Sequence, residues 1–298
     1  MRRRTRFALG AVLVLALGPV TITSRSDPPG FIGDYHWQSN DPLFGGWSGL
    51  EVVVEGNRLY ALSDRGAWTE ADIQRDDQGR IAAVQVAPVR VLEGAGDLPL
   101  PGDSHDSEGL AIARDGTAYV SFEGPARVMR YPALGRSGKL LPSPPEFVEM
   151  TPNGSLEALA VDAEGTLFSL PEETIRSDGL TPIFRFRNGV WDQPWLLPVD
   201  GSFYPAGADI GPDGKLYLIE RQFRGVSGFA SRLRRFSLGP GPVLQGETLF
   251  TSDPGRFGNL ESVAVWRSAG GDLRATMISD DNFLDSLGTE LVEVRLSD

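Results

Sequence analysis

The stretch Glu108-Gly-Leu-Ala-Ile-Ala-Arg-Asp-Gly-Thr-Ala-Tyr-Val-Ser-Phe-Glu123 decides the fold. Its apolar run Leu110-Ala-Ile112 reads as a short strand buried on both faces. Asp115-Gly116 follows as a tight turn, where glycine supplies the positive φ that a hairpin needs. Ala118-Tyr-Val-Ser121 then returns as a second strand. The same pattern recurs from Ser48 to Asp64, Glu157 to Glu172, Ala206 to Glu220 and Glu261 to Asp280. The starting positions 48, 108, 157, 206 and 261 lie 60, 49, 49 and 55 residues apart, near the length of a propeller blade of four short strands.

Weaker apolar runs, such as Val128–Tyr131, Ile183–Phe186 and Leu233–Phe236, supply the remaining strands of each unit. The predicted fold is therefore an all-β propeller of five blades, each with about four antiparallel strands. The fifth copy has three obvious strands, ending in Leu291–Val294, and Phe31–Trp37 can supply its fourth and close the ring. A six-bladed ring is the alternative, but it needs a blade that the repeat does not show. A large sandwich would not demand this period.

Bulk properties narrow the function classes. The chain has 28 Lys and Arg against 40 Asp and Glu, a formal net charge of −12. Five of the arginines fall in residues 1–26, which carry no acid, so the remaining body is more acidic still. Such a body repels phosphate backbones, which argues against nucleic acid and for cations. There is no cysteine, hence no disulfide, thiolate metal site or Cys nucleophile. Arg2-Arg3-Arg4-Thr5-Arg6 precedes a 14-residue apolar run from Phe7 to Val20, too short to span a bilayer. That layout predicts a signal peptide or N-terminal tether over 1–26, a propeller domain over 27–298, and a periplasmic or secreted protein. No membrane span is expected beyond the leader. No apolar segment of interface size stands out, so a monomer is expected.

The repeat also distributes acids. In a propeller the first strand of each blade lines the central channel, and a hairpin returns the chain to the face where it began. Each copy begins with an acid at Glu108, Glu157 or Glu261, or has one three residues on, at Glu51 or Asp209. Each ends in an acid: Asp64, Glu123, Glu172, Glu220 and Asp280, with Glu173 and Asp281 alongside. Carboxylates gathered on one rim repel one another and require a counter-charge. Ca²⁺, a hard cation with several oxygen ligands, would supply it, with Asn153, Asn259 and Asn282 adding neutral oxygens. The two histidines, His36 and His105, do not make a zinc pair. Arg65 and Arg221 are candidate phosphate or carboxylate clamps, or braces for the neighbouring acid. His105 enters the second unit at the same rim, as a substrate contact, a general acid or a loop residue without a duty. No P-loop, G-x-S-x-G elbow or dinucleotide fingerprint is present.

Phe44-Gly-Gly-Trp-Ser-Gly-Leu50, Leu62-Ser-Asp-Arg-Gly66, Asp106-Ser-Glu-Gly-Leu-Ala111 and Asn153-Gly-Ser-Leu-Glu-Ala-Leu-Ala160 continue into Ile219-Glu-Arg-Gln-Phe223, Asn259-Leu-Glu-Ser-Val263 and Ile278-Ser-Asp-Asp-Asn-Phe283. In this order they resemble the family described as esterase-like activity of phytase, from about Leu43 to Val294. The resemblance implies an exported hydrolase of phosphoesters whose repeated Glu and Asp residues act on a small-molecule substrate. Carried over, it implicates Asp64, Glu108, Glu123, Glu157, Glu172, Glu220, Glu261, Asp280 and Asp281 as the active groups. Joined to the charge argument above, this reading places catalysis at Glu108, Glu157 and Glu261, substrate contacts at Arg65, Arg221 and His105, and Ca²⁺ at Asp64, Glu123, Glu172, Glu220, Asp280 and Asp281. Two other readings stay open. One is a non-catalytic propeller that binds a ligand or partner, the other a lactone-opening hydrolase.

Overall fold

Every blade starts from a strand that is apolar at successive positions, because each of its two faces looks into a different junction between blades. Leu110 packs with Leu62 and Trp68 of blade 1, whereas the adjacent Ala111 packs with Leu156 and Leu159 of blade 3. The core is accordingly divided into five apolar clusters, one per junction. Side-chain alternation along a strand thus feeds two cores rather than one core and solvent.

These relationships come from a computed structural model, which describes residues 27–94, 100, 105–173, 175–199, 201–284 and 287–297. The leader over 1–26 lies outside the described residues. Five antiparallel sheets form a five-bladed propeller. Their inner strands are Trp47–Val53, Ser107–Ile112, Leu156–Val161, Tyr204–Ile210 and Asn259–Arg267. Phe31–Trp37 pairs antiparallel with Thr289–Arg295, so the outer strand of blade 5 comes from the start of the chain. Aromatic packing fastens this closure. Trp37 stacks on Trp47 across the junction at 5.5 Å, and Phe44 meets both edge-on at 4.9 and 5.1 Å. Among the described residues no helix is long and apolar enough to cross a membrane.

Two features of the inner strands position the site. First, each carries a register shift at the residue that begins its repeat: Ser48, Glu108-Gly109, Glu157, Ala206 and Glu261. A β-bulge re-aims the inserted side chain, and here it turns the repeat's leading acids toward the channel mouth. Second, neighbouring inner strands almost touch just beyond the bulge. A Cβ on Gly109 would fall 2.6 Å from Leu159 Cβ, and one on Gly49 would fall 2.8 Å from Leu110 Cβ. In blade 5 the same position is Ser262, whose Oγ accepts the Leu50 N–H at 3.0 Å.

Candidate functional site

The bulges bring Glu108, Glu157 and Glu261 together at one mouth of the channel, all three buried. The second strands deliver further groups, and the register shows which ones are equivalent. Leu156 pairs with Pro171, Ser107 with Phe122, Trp47 with Ser63 and Leu260 with Ser279. The next residues, Glu172, Glu123, Asp64 and Asp280, point to the mouth. In blade 4 the equivalent pair is Pro205 with Glu220, so the next residue is Arg221.

The chain therefore supplies its own counter-charge. Arg221 Nη2 donates to Glu157 Oε1 at 3.2 Å and Glu172 Oε1 at 3.0 Å, while Nη1 donates to Glu261 and, at 3.4 Å, to Asn259 Oδ1. Burial works against the Arg221 charge, but Glu261, Glu157 and Glu172 overcome it and hold the guanidinium more firmly protonated than usual. Asn259 Nδ2 also donates to Glu261 Oε1 at 2.6 Å.

A second cluster lies in blade 2. Carboxylate oxygens of Asp106, Glu108 and Glu123 all fall within 4.8 Å of one another. Glu123 is steadied by the Ser155 N–H of blade 3. Asp106 forms an isolated antiparallel bridge with Arg65. Burial first, then Asp106, raises the Glu123 carboxyl to about 7. Burial and then Glu157, Glu261 and Glu123 push Glu108 well above the ordinary carboxylate range. Burial likewise raises Glu261 and Asp64 to about 7 and Asp280 to about 6. Glu157 is raised well up by burial, against the pull of Arg221. Oxygen-only donors of this kind suit a hard cation such as Ca²⁺ or Mg²⁺ rather than a transition metal.

The family description "Phytase-like: Esterase-like activity of phytase" matches residues 42–283, most of the propeller. The chain belongs to the phytase-like family. No curated protein matches it. Solved structures are similar to it at low identity, and the first of the two that follow shares the fold. The α-L-arabinofuranosidase of Podospora anserina in complex with cellotriose is 13% identical, with a TM-score of 0.53 over 91% of this chain and 98% of that one. The major Malassezia sympodialis allergen Mala s 1 is 12% identical, with a TM-score of 0.48 over 84% and 78%.

Within this phytase-like propeller the anticipated residues separate into groups. Glu108, Glu157, Glu261, Asp64, Glu123, Glu172 and Asp280 occupy the mouth. Glu220 does not join them, correcting the expectation that it faces the rim. It lies on the opposite face of its strand, buried, and pairs with Arg232 Nε at 2.8 Å and with Arg234. The reason is register, since one residue along a strand reverses the side chain. Glu51 and Asp209 are corrected as well. They sit three residues past the bulge and line a cavity of about 360 Å³ at the other mouth, with the hairpin turns. Each caps the next blade, Glu51 Oε1 accepting the Ile112 N–H at 2.9 Å and Asp209 Oδ2 the Val265 N–H at 2.6 Å.

Asp281 sits at the mouth but bonds inward, accepting the Gly46 N–H at 2.9 Å, the Phe283 N–H at 3.0 Å and the Thr289 hydroxyl at 3.1 Å. Arg65 is exposed, its guanidinium carbon 3.3 Å from the centroid of the Phe283 ring. His105 is half-buried, with Nε2 at 3.1 Å from the Leu100 carbonyl oxygen. Asp106 is the group that the repeat did not single out, because no other blade has an acid two residues before the bulge. Its i, i+2 spacing to Glu108 in extended chain was the available signal.

Proposed function

We propose that this phytase-like propeller is a cation-dependent phosphoester hydrolase working at the acidic mouth. The observation that carries the reading is the convergence of Asp106, Glu108 and Glu123 oxygens within 4.8 Å. These three residues would hold Ca²⁺, which when bound supplies charge neutralisation for a phosphate and acidifies a water. Arg65, exposed at the rim and braced on Phe283, would orient the phosphate oxygens. Arg221 keeps Glu157, Glu172 and Glu261 in place as an internal cation. Glu261, raised to about 7 by burial, accepts the proton of the attacking water at neutral pH. In the reaction the water oxygen bonds to phosphorus, the phosphorus–oxygen ester bond breaks, and the departing alcohol takes up a proton.

The test is calcium titration of the whole chain by calorimetry, with 4-nitrophenyl phosphate turnover measured in the same samples. Saturable binding of Ca²⁺, lost in Asp106→Asn together with turnover, is the expected result. Turnover unchanged by chelation or by Asp106→Asn sinks the reading. A second reading, a ligand-binding propeller without turnover, is favoured by one observation: Arg221 pairs with Glu157, Glu172 and Glu261 and so neutralises part of the acidic ring from within the chain. Saturable Ca²⁺ binding with no hydrolysis of any phosphoester would select it.

A further inference from the structure

The rim around the mouth is two-sided. In blades 1 and 2 the chain turns tightly after Asp64 and Glu123, at Gly66 and at Gly124-Pro125. In blades 3, 4 and 5 the corresponding stretches of sequence between strands are longer, and their described residues include exposed apolar side chains. Ile175 follows Glu172 by three residues, and Leu284 follows Asp280 by four. In blade 4 the strand Leu216–Phe223 runs two residues beyond Arg221 before it turns. Phe223 lies on the same face of that strand as Arg221, because side chains alternate with period two. It pairs across the hairpin with Phe229, ring centroids 5.1 Å apart, yet stays 67% exposed. Val226 at the hairpin tip is fully exposed, and Leu284 is 54% exposed.

Exposed aromatic and branched side chains are costly to hydrate, and here they continue outward from the ionic centre. Arg65 stands between the two halves, stacked on Phe283 of blade 5 while its backbone bridges Asp106 of blade 2.

Resting on the phosphoester reading, we infer that the substrate is a phosphoester of an apolar alcohol, aryl or alkyl. Its phosphate lies at the blade 2 acids and Arg65, and its organic group lies against Phe223 and Leu284. A polyphosphorylated polar body would leave the apolar half without a partner and would meet the glutamate ring with like charge. Phe223 and Leu284 are thus specificity-determining residues, outside the catalytic groups.

The test compares binding of 1-naphthyl phosphate and methyl phosphate by calorimetry, with Ca²⁺ present, to the full chain and to Phe223→Ser and Leu284→Ser. Both positions are exposed, and unchanged thermal unfolding will show that the variants fold. The naphthyl ester should bind at least about tenfold tighter, as burial of one ring face allows. Each variant should shrink that ratio severalfold and leave methyl phosphate unchanged. Equal affinities, no binding of either ester, or ratios unmoved by the substitutions overturn the inference. So does loss of neutral phospholipid vesicle binding in the variants without any change in the ester ratio, since the apolar rim would then be a membrane contact. Release of naphthol is followed in parallel. Turnover without aryl preference leaves the hydrolase and removes this inference, whereas aryl preference without turnover does the reverse.

Discussion

Arg221 of blade 4 occupies the repeat position that Glu172 fills in blade 3, and its Nη2 lies 3.0 Å from that glutamate's Oε1. A single change of sign within the repeat thus turns a ring of like charges into a bonded network. Glu157 and Glu261, from the bulges on either side, complete it.

Removing that cation should be expensive. Arg221→Met leaves three buried or half-buried glutamates facing one another, and loss of one partner of a buried ion pair typically costs about 3 kcal/mol or more. We expect a lower denaturant midpoint with an unchanged m-value, and partial retention in Arg221→Lys, which cannot make the forked contact. A midpoint equal to that of the parent chain would show that the network contributes little.

Stability should also depend on pH in a defined direction. Asp64 and Glu261 are raised to about 7 and Asp280 to about 6, against about 4 in an unfolded chain. Between pH 4 and 7 the folded chain therefore binds more protons than the unfolded one, so stability rises as pH falls through this window. Above about pH 7 the three carboxylates are charged in both states and the full penalty applies. Calorimetric Tm measured without added divalent ions should climb from pH 8 to pH 5, more steeply in Arg221→Met. A Tm that falls over that range would contradict the assignment.

The close approach of inner strands gives a packing prediction. Gly109→Ala would place a methyl 2.6 Å from Leu159 Cβ and Ser121 Oγ and 2.9 Å from the Glu157 carbonyl oxygen. Overpacking of this kind usually costs about 1–3 kcal/mol. Because Gly109 shares the blade 2 bulge with Glu108, the change should weaken Ca²⁺ binding as well as the fold. Denaturation and calcium calorimetry on the same sample would separate the two effects.

Much of this was legible in the sequence. The spacing of five starting positions fixed the blade count, and the Gly turns fixed which strands pair, because both are local and periodic. The bulges were not legible, since an extra residue in one strand leaves the apolar pattern almost unchanged. That blind spot produced the two errors. Reading Glu220 as the last acid of blade 4 makes that copy one residue shorter than blades 2 and 3. Aligning Ala206 with Arg221 restores the fifteen-residue separation and reverses which face Glu220 occupies. Likewise Glu51 and Asp209 substitute for Ala111, Ala160 and Ala264 of the other copies, not for their leading glutamates. Asp106 was visible in the chain but belongs to blade 2 alone, so repetition gave it no emphasis.

The contrast between two acids distinguishes a structural carboxylate from one assigned to the cation. Glu220 is buried and accepts from Arg232 and Arg234 beside a void of about 10 Å³, too small for a ligand. Glu220→Gln leaves two guanidinium groups short of their anion in the junction between blades 3 and 4, and should lower stability by about 3 kcal/mol. It should leave calcium affinity of the folded protein unaltered, because the side chain faces away from the mouth. Asp106→Asn should do the opposite. That residue is half-buried at the rim and forms no part of the Arg221 network, so removing its charge should relieve repulsion with Glu108 and Glu123 and leave stability unchanged or slightly higher. Calcium affinity should drop by about tenfold or more, as expected when a hard cation loses one of three charged oxygen donors. Thermal unfolding with and without calcium reads both quantities, since a ligand that binds only the folded state raises stability by RT ln(1 + L/Kd), where L is the free ligand concentration. If Glu220→Gln removes the calcium-dependent rise in Tm and Asp106→Asn preserves it, the cation site belongs in blade 4 and the assignment to blade 2 is wrong.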